Sequence, residues 1–210
     1  MDRIRRGFLT VLCLALTTPG VLAASADGVT QLKRFVADTA RAEGRFVQSV
    51  YRQNGGRADE SEGEFAFERP GKFRWHYVKP YPQVLVGDGT RLWAYDPELA
   101  QVTVKTVGDA LGATPAAILA GDGELDARFT LEDGGDANGL RWAIATPKAA
   151  DSSFARMKLG FRDGALVGME IRDNFGHTTI LRFTRLTANA PIDPATFRFT
   201  PPAGVDVIGE

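Results

Sequence analysis

Residues 69–105, RPGKFRWHYVKPYPQVLVGDGTRLWAYDPELAQVTVK, constrain the fold of this chain more than any other stretch. Phe73, Trp75 and Tyr77 alternate with Lys72, Arg74 and His76. A strand sends successive side chains to opposite faces, so this segment has one aromatic face and one basic face. Extended runs at 72–78, 83–86, 91–95 and 101–105 are separated by Pro70-Gly71, Asp88-Gly89, Asp96-Pro97 and similar turn residues. Links this short join antiparallel neighbours, because a parallel pair needs a crossover of about a dozen residues. The segment is therefore a meander with a greasy side and a wet side.

The rest of the chain extends that pattern. Val29, Leu32, Phe35, Val36 and Thr39 recur at helical spacing, which predicts an amphipathic helix over 27–42 with Asp27 as N-cap and Gly44 as stop. Strand-like runs precede the meander at 45–52 and 63–69. At 107–120 the period changes to that of one or two short helices, with Thr114-Pro115 as a start and Gly121 as a stop. Strands resume at 127–132, 140–146, 154–161, 165–173 and 178–186, with a glycine-rich loop expected at 132–139. A turn of helix at Asp193-Pro194 and an extended piece at 197–200 complete the chain. The fold class is mainly β: about eleven short, mostly antiparallel strands in a strongly curved sheet or barrel, with few helices.

The N-terminus reads as a secretory signal. Arg3, Arg5 and Arg6 precede an apolar run at 8–16, and small residues follow around 23–26. Cleavage after Ala23, Ala24 or Ala26 fits, so residues 1–24 are taken as the signal and 25–210 as one domain. The single cysteine, Cys13, lies inside the apolar run and lacks the small preceding residue that a lipidated cysteine requires. The mature chain then has no disulfide and no thiolate metal site. Removing Asp2 and three arginines from 26 acidic and 25 basic residues leaves 25 and 22, a net charge of −3. That balance argues against a nucleic-acid binder, which usually needs a concentrated basic surface.

Catalytic signals are weak. No G-x-S-x-G motif is present, and the two histidines, His76 and His177, read as solvated or structurally paired groups. Most carboxylates sit in turns, where Asp bonds its own backbone, although a glycan or ester hydrolase using surface carboxylates stays open as the alternative. Residues 122–133 lack the Gly and the bidentate Glu of a calcium loop, and Gly87-Asp88-Gly89 opens no helix that could hold a phosphate. No cofactor or metal is implied. The stronger signal is apolar: Phe65 and Phe67, then Phe73, Trp75 and Tyr77, then Leu85, then Trp93 and Tyr95. Ala155, Met157, Leu159 and Phe161, and Val167, Met169 and Ile171, repeat the alternation, while Ile118 and Leu119 lie in the short-helix region. By pattern alone these residues make a filled core. Only about two short helical pieces are available to cover so wide an apolar face, which argues that part of it receives a ligand. Arg69 reads from its position as a surface charge.

Five segments together resemble a known family: Arg69-Pro70-x-x-Phe73-x-Trp75; Leu85-Val86-x-Asp88-Gly89-x-x-Leu92-Trp93-x-Tyr95; Gln101-Val102-Thr103; Thr114-Pro115; and Phe197-x-Phe199-Thr200-Pro201-Pro202-x-Gly204-Val205. In combination they are similar to the LolA family of periplasmic carriers that ferry lipoproteins to the outer membrane. The resemblance spans about residues 28–207, dense over 63–101 and loose over 121–161. It implies an incomplete, half-open antiparallel barrel closed by a helical lid made of 107–120 and the N-terminal helix. Phe65, Phe67, Phe73, Trp75, Tyr77, Leu85, Trp93, Tyr95, Ile118, Leu119, Met157 and Met169 would line a cavity for acyl chains. Arg69 would be the latch, bonded to backbone groups of the lid until opening breaks those bonds. The implied protein is a monomer in the periplasm, not an enzyme. Its implied partners are acylated lipoproteins, an inner-membrane ABC-type release complex and an outer-membrane receptor.

Overall fold

The computed structural model describes residues 26–106, 116–121 and 123–209. The expected signal segment, residues 1–24, and residues 107–115 of the expected lid lie outside them. In chain order the elements are α1 (Gly28–Asp38), β1 (Arg41–Tyr51), β2 (Asp59–Glu68), β3 (Lys72–Lys79), β4 (Gln83–Asp88), β5 (Arg91–Asp96) and β6 (Gln101–Thr106). There follow α2 (Ala116–Ala120), α3 (Leu125–Arg128), β7 (Phe129–Ala137), β8 (Leu140–Pro147), β9 (Phe154–Arg162), β10 (Ala165–Asp173) and β11 (Thr178–Ala188). A 3₁₀ turn, Pro194–Phe197, precedes β12 (Asp206–Gly209). The described strands form one twelve-stranded sheet in the order β12-β6-β5-β4-β3-β2-β1-β11-β10-β9-β8-β7. Its two ends do not pair, so the sheet curves without closing. The mainly β, half-open architecture expected from the sequence is the one observed.

Several boundaries differ from the sequence reading, each for a physical reason. Asp27 caps α1 as expected, its Oδ1 accepting from Thr30 N at 2.8 Å. The helix nevertheless ends at Asp38, and Gly44 lies within β1 rather than stopping the helix. What terminates α1 comes from far along the chain: Asn189 Nδ2 donates to Asp38 O at 2.7 Å and its Oδ1 accepts from Ala40 N at 3.0 Å. The glycine-rich segment expected as a loop is mostly β7, with an irregular register between Asp133 and Gly135 and with Arg141 of β8 paired to Asp133 and Asp136. Phe197 closes the 3₁₀ turn and Arg198 after it is extended, as expected of this piece, but residues 197–200 pair with no strand; the terminal strand is β12, which pairs with β6 in parallel.

Close strand crossing needs glycine at particular points. A Cβ on Gly63 would lie 2.1 Å from His76 O and 2.9 Å from the Phe46 ring, beside the register shift between Glu62 and Gly63. A Cβ on Gly87 would strike the Phe73 ring at 2.4 Å. At both places a large aromatic on the concave face occupies the room a side chain would take, so curvature and aromatic packing are coupled.

The core has two layers. On the concave face one contiguous apolar cluster joins Leu32 and Phe35 of α1, Ile118, Leu119 and Ala120 of α2, and Leu125 of α3 to the inward residues of β1–β3, β5 and β8–β11. On the convex face the C-terminal segment crosses back over the sheet, burying Ile192 and Phe197 against Ala66. The meander's outer side is therefore not simply wet.

Candidate functional site

Strand register decides which side chains share the concave face. Phe65, Trp75, Leu85 and Ala94 lie opposite one another across β2, β3, β4 and β5, and Phe67, Phe73, Gly87 and Leu92 form the adjacent row. Trp75 stacks on Phe65 with centroids 5.3 Å apart and packs on Phe46 at 4.6 Å; Tyr77 meets Phe46 edge-on at 5.3 Å. Met157, Leu159, Phe161 and Met169 line the other half of the same cluster, under Leu32 and Phe35. Ten of the twelve residues expected to line the cavity thus fall in one cluster: Phe65, Phe67, Phe73, Trp75, Ile118, Leu119, Met157 and Met169 are buried in it, and Tyr77 and Leu85 pack against it. Burial pushes the Tyr77 hydroxyl up to about 12, and that hydroxyl donates to Gln48 Oε1 at 3.1 Å.

Trp93 and Tyr95 do not belong to this face. They point to the convex side and pack on Phe199 at 5.9 and 5.8 Å, while their strand neighbour Leu92 points inward. Trp93 Nε1 donates to Asp88 Oδ2 at 2.9 Å, and Asp88 Oδ1 accepts from Thr90 N, Thr90 Oγ1 and Arg91 N. Burial opposes the charge on Asp88, but these donors outweigh it and hold the carboxyl near 2. This constellation builds the β4–β5 hairpin and the seat for the C-terminal segment. On β9 a register shift turns Phe154 inward in place of Ala155, and on β10 another turns Leu166 inward in place of Val167.

The sequence reading also missed Phe46, Leu181 and Phe183 of the concave face. Phe46 shares its face with Ala42, Gly44 and Gln48, none of which is a large apolar side chain that would mark that face as inward. Leu181 and Phe183 do alternate with Arg182 and Thr184, and that was the available signal.

Arg69 follows β2 and reaches under the helices. Its Nε donates to Thr39 O at 3.0 Å, at the end of α1; its Nη1 donates to Ile118 O at 3.2 Å in α2 and, at longer range, to Gly121 O at 3.5 Å. The guanidinium lies 5.3 Å from the Phe67 ring centroid and 6.0 Å from that of Phe35. Burial pulls its pKa down to about 10, so it remains charged at neutral pH, and Nη2 is buried with no hydrogen-bond partner. Beside it, Gly71 N donates to Ala120 O at 2.6 Å and Arg69 N to Ala40 O at 2.8 Å. One side chain thus ties α1, α2 and the sheet together, and it is not the surface charge its sequence position suggests. The Lys33–Asp126 ion pair at 2.8 Å adds an exposed link between α1 and α3.

This arrangement is suited to holding apolar material. Among the described residues no group of three or more His, Cys, Asp or Glu side chains is placed to hold a metal, and no helix is long and apolar enough to cross a membrane. His177 pairs with Asp173 at 2.7 Å in the β10–β11 turn, and His76 lies on the convex face opposite Glu64 and Val84.

Residues 37–200 match the family model described as "Outer membrane lipoprotein carrier protein LolA". The outer-membrane lipoprotein carrier protein of Dechloromonas aromatica is 48% identical over 202 residues, covering 96% of each chain. That of Methylibium petroleiphilum is 45% identical and covers 99% of this chain and 100% of its own. An uncharacterized conserved protein of Thermus thermophilus superposes with a TM-score of 0.52 at 14% identity, covering 86% of this chain and 96% of its own, a likeness of fold alone. With identity near one half along almost its whole length, and with the segments around Arg69 and Trp75 inside the matched region, this chain belongs to the LolA family of outer-membrane lipoprotein carrier proteins.

Proposed function

We propose that this protein is a soluble periplasmic carrier that shelters the acyl chains of lipoproteins against the concave face of its sheet. It takes them from an ATP-driven release complex in the inner membrane and passes them to a receptor at the outer membrane, with no covalent chemistry. The observation that carries this reading is Arg69, whose buried guanidinium holds α1 and α2 over a continuous apolar face through carbonyls at 3.0 and 3.2 Å.

The physical need is clear. Each methylene taken out of water contributes roughly 0.8 kcal/mol, so two or three acyl chains cannot cross an aqueous compartment unescorted. An escort must also release its cargo. Side chains that pack on one another when the helices are closed compete with acyl chains for the same surface, so closure works against binding and favours onward transfer. The charge on Arg69 strengthens closure and thereby weakens retention.

The test is a two-step assay with Arg69→Leu: release of lipoprotein from inner membranes into the soluble carrier, then incorporation into outer membranes. Loading should persist while transfer fails. Transfer at the wild-type rate would remove Arg69 from the mechanism.

A further inference from the structure

Besides the Arg69 guanidinium beneath the helices, the concave apolar cluster holds a second polar place. Of the three tryptophans, Trp93 donates its indole N–H to Asp88 and Trp142 donates to Ala137 O at 3.1 Å. Trp75, only 4% exposed and set between Phe46 and Phe65, has an Nε1 shielded from solvent with no hydrogen-bond partner. Buried donors are almost always satisfied, so an unpaired one in the middle of a candidate binding surface needs a reason. The Tyr77 hydroxyl is near enough for the indole to favour its ionisation, although burial dominates that group, and the two do not form a hydrogen bond of full geometry. Tyr77 spends its own proton on Gln48. Gln48, Tyr77 and Trp75 therefore form a short polar line within the apolar cluster, and its last donor, the Trp75 N–H, is left without a full hydrogen bond.

Acyl chains do not arrive as hydrocarbon alone. Each enters attached through an ester or amide, and burying that carbonyl without a donor opposes binding. We propose that the Trp75 indole N–H donates to the carbonyl oxygen of the acyl linkage, making Trp75 a residue that selects acylated cargo over plain hydrocarbon. This rests on the carrier reading and adds to it a polar anchor on a surface otherwise suited to any chain. It also sets a register, because a carbonyl held at β3 fixes how deep the chain beyond it can run toward β9 and β10.

The experiment compares displacement of an apolar fluorescent probe by three ligands with the same oleyl chain: the monoglyceride ester, the corresponding N-acyl amide, and the glyceryl ether, which lacks a carbonyl. Wild type should prefer ester and amide over ether by about three- to tenfold, the contribution of one hydrogen bond. Trp75→Phe, which keeps an aromatic ring and removes the N–H, should bring the ester-to-ether and amide-to-ether affinity ratios to about one, whatever it does to the affinity for all three ligands together. Tyr77→Phe should retain it. In wild-type protein labelled with ¹⁵N, the ester should move the Trp75 indole N–H resonance downfield and the ether should not, a readout that needs no variant to fold. A response of ester and amide alike assigns the site to the carbonyl, and a response of one alone identifies which linkage it reads. Equal affinity for all three ligands, or a preference that survives Trp75→Phe, overturns the anchor and leaves the carrier reading standing. Failure of every ligand to displace the probe overturns the carrier reading, and the anchor with it.

Discussion

Replacing Arg69 with Leu removes two well-formed hydrogen bonds, to Thr39 O and Ile118 O, and a marginal third to Gly121 O. A hydrogen bond to a charged group contributes about 1.5–3 kcal/mol net, so the two good bonds together are worth roughly 3–6 kcal/mol. Burial works against the guanidinium, whose pKa falls to about 10, and leucine would still pack on Phe35 and Phe67, which places the effect at the lower end. About 3 kcal/mol shifts the balance between closed and open helices by about a hundredfold. The Gly71 amide, bonded to Ala120 O across the junction between α2 and the sheet, reports that balance directly. Hydrogen exchange at Gly71 should accelerate by about a hundredfold in Arg69→Leu, whereas amides in the β1–β11 ladder should change far less. Arg69→Lys should fall between the two, because an ammonium cannot reach two segments with a planar fork. An acceleration at Gly71 below about threefold would refute the reasoning, since it would mean that the helices are held by apolar packing alone.

Three further predictions concern the rest of the frame. Trp75→Asp should abolish uptake of an apolar fluorescent probe while far-ultraviolet dichroism shows a folded chain, whereas Trp93→Leu should leave uptake within about twofold and instead loosen the C-terminal segment, measured as faster proteolysis after β11. Asp88 has a folded-state pKa near 2, below its ordinary 3.8, so the stability it contributes is present above about pH 4 and lost as pH falls through 2. Asp88→Asn should therefore melt below wild type at neutral pH, by an amount equivalent to about 1 kcal/mol after allowance for solvent screening, and the two melting curves should converge near pH 2. Gly63→Ala places a methyl against His76 O and the Phe46 ring and should destabilise the chain by about 2–3 kcal/mol in urea unfolding, a cost that a neutral result would contradict.

Much of the fold was legible because strand alternation and turn chemistry are local. The meander from Lys72 to Thr106 follows from Pro70-Gly71, Asp88-Gly89 and Asp96-Pro97, and its strands stand within two residues of their expected bounds. Alternation shows which residues share a face, but not which face turns inward. For β5 that choice depends on register across the Asp88-centred hairpin, and because the C-terminal segment also covers the convex side, Trp93 and Tyr95 find an apolar seat there. Irregular registers defeated the period at Ala155 and Val167, where one extra residue moves Phe154 and Leu166 inward. Glycine misled twice: Gly44 and Gly134 read as breakers, yet both sit in strands where an opposite strand or ring approaches too closely for a Cβ. The hydrogen bonds of Arg69 reach Thr39 and Ile118, 30 and 49 positions away, which no local pattern reveals; only family resemblance pointed to them.

Purification of the Arg69→Leu variant from the periplasm, followed by native mass spectrometry and sequencing of whatever travels with it, tests the central claim most directly. Acylated lipoproteins should be found in one-to-one complexes, absent when Trp75→Asp is added. Recovery of the variant without any acylated protein would contradict the claim and leave the concave face as a filled core.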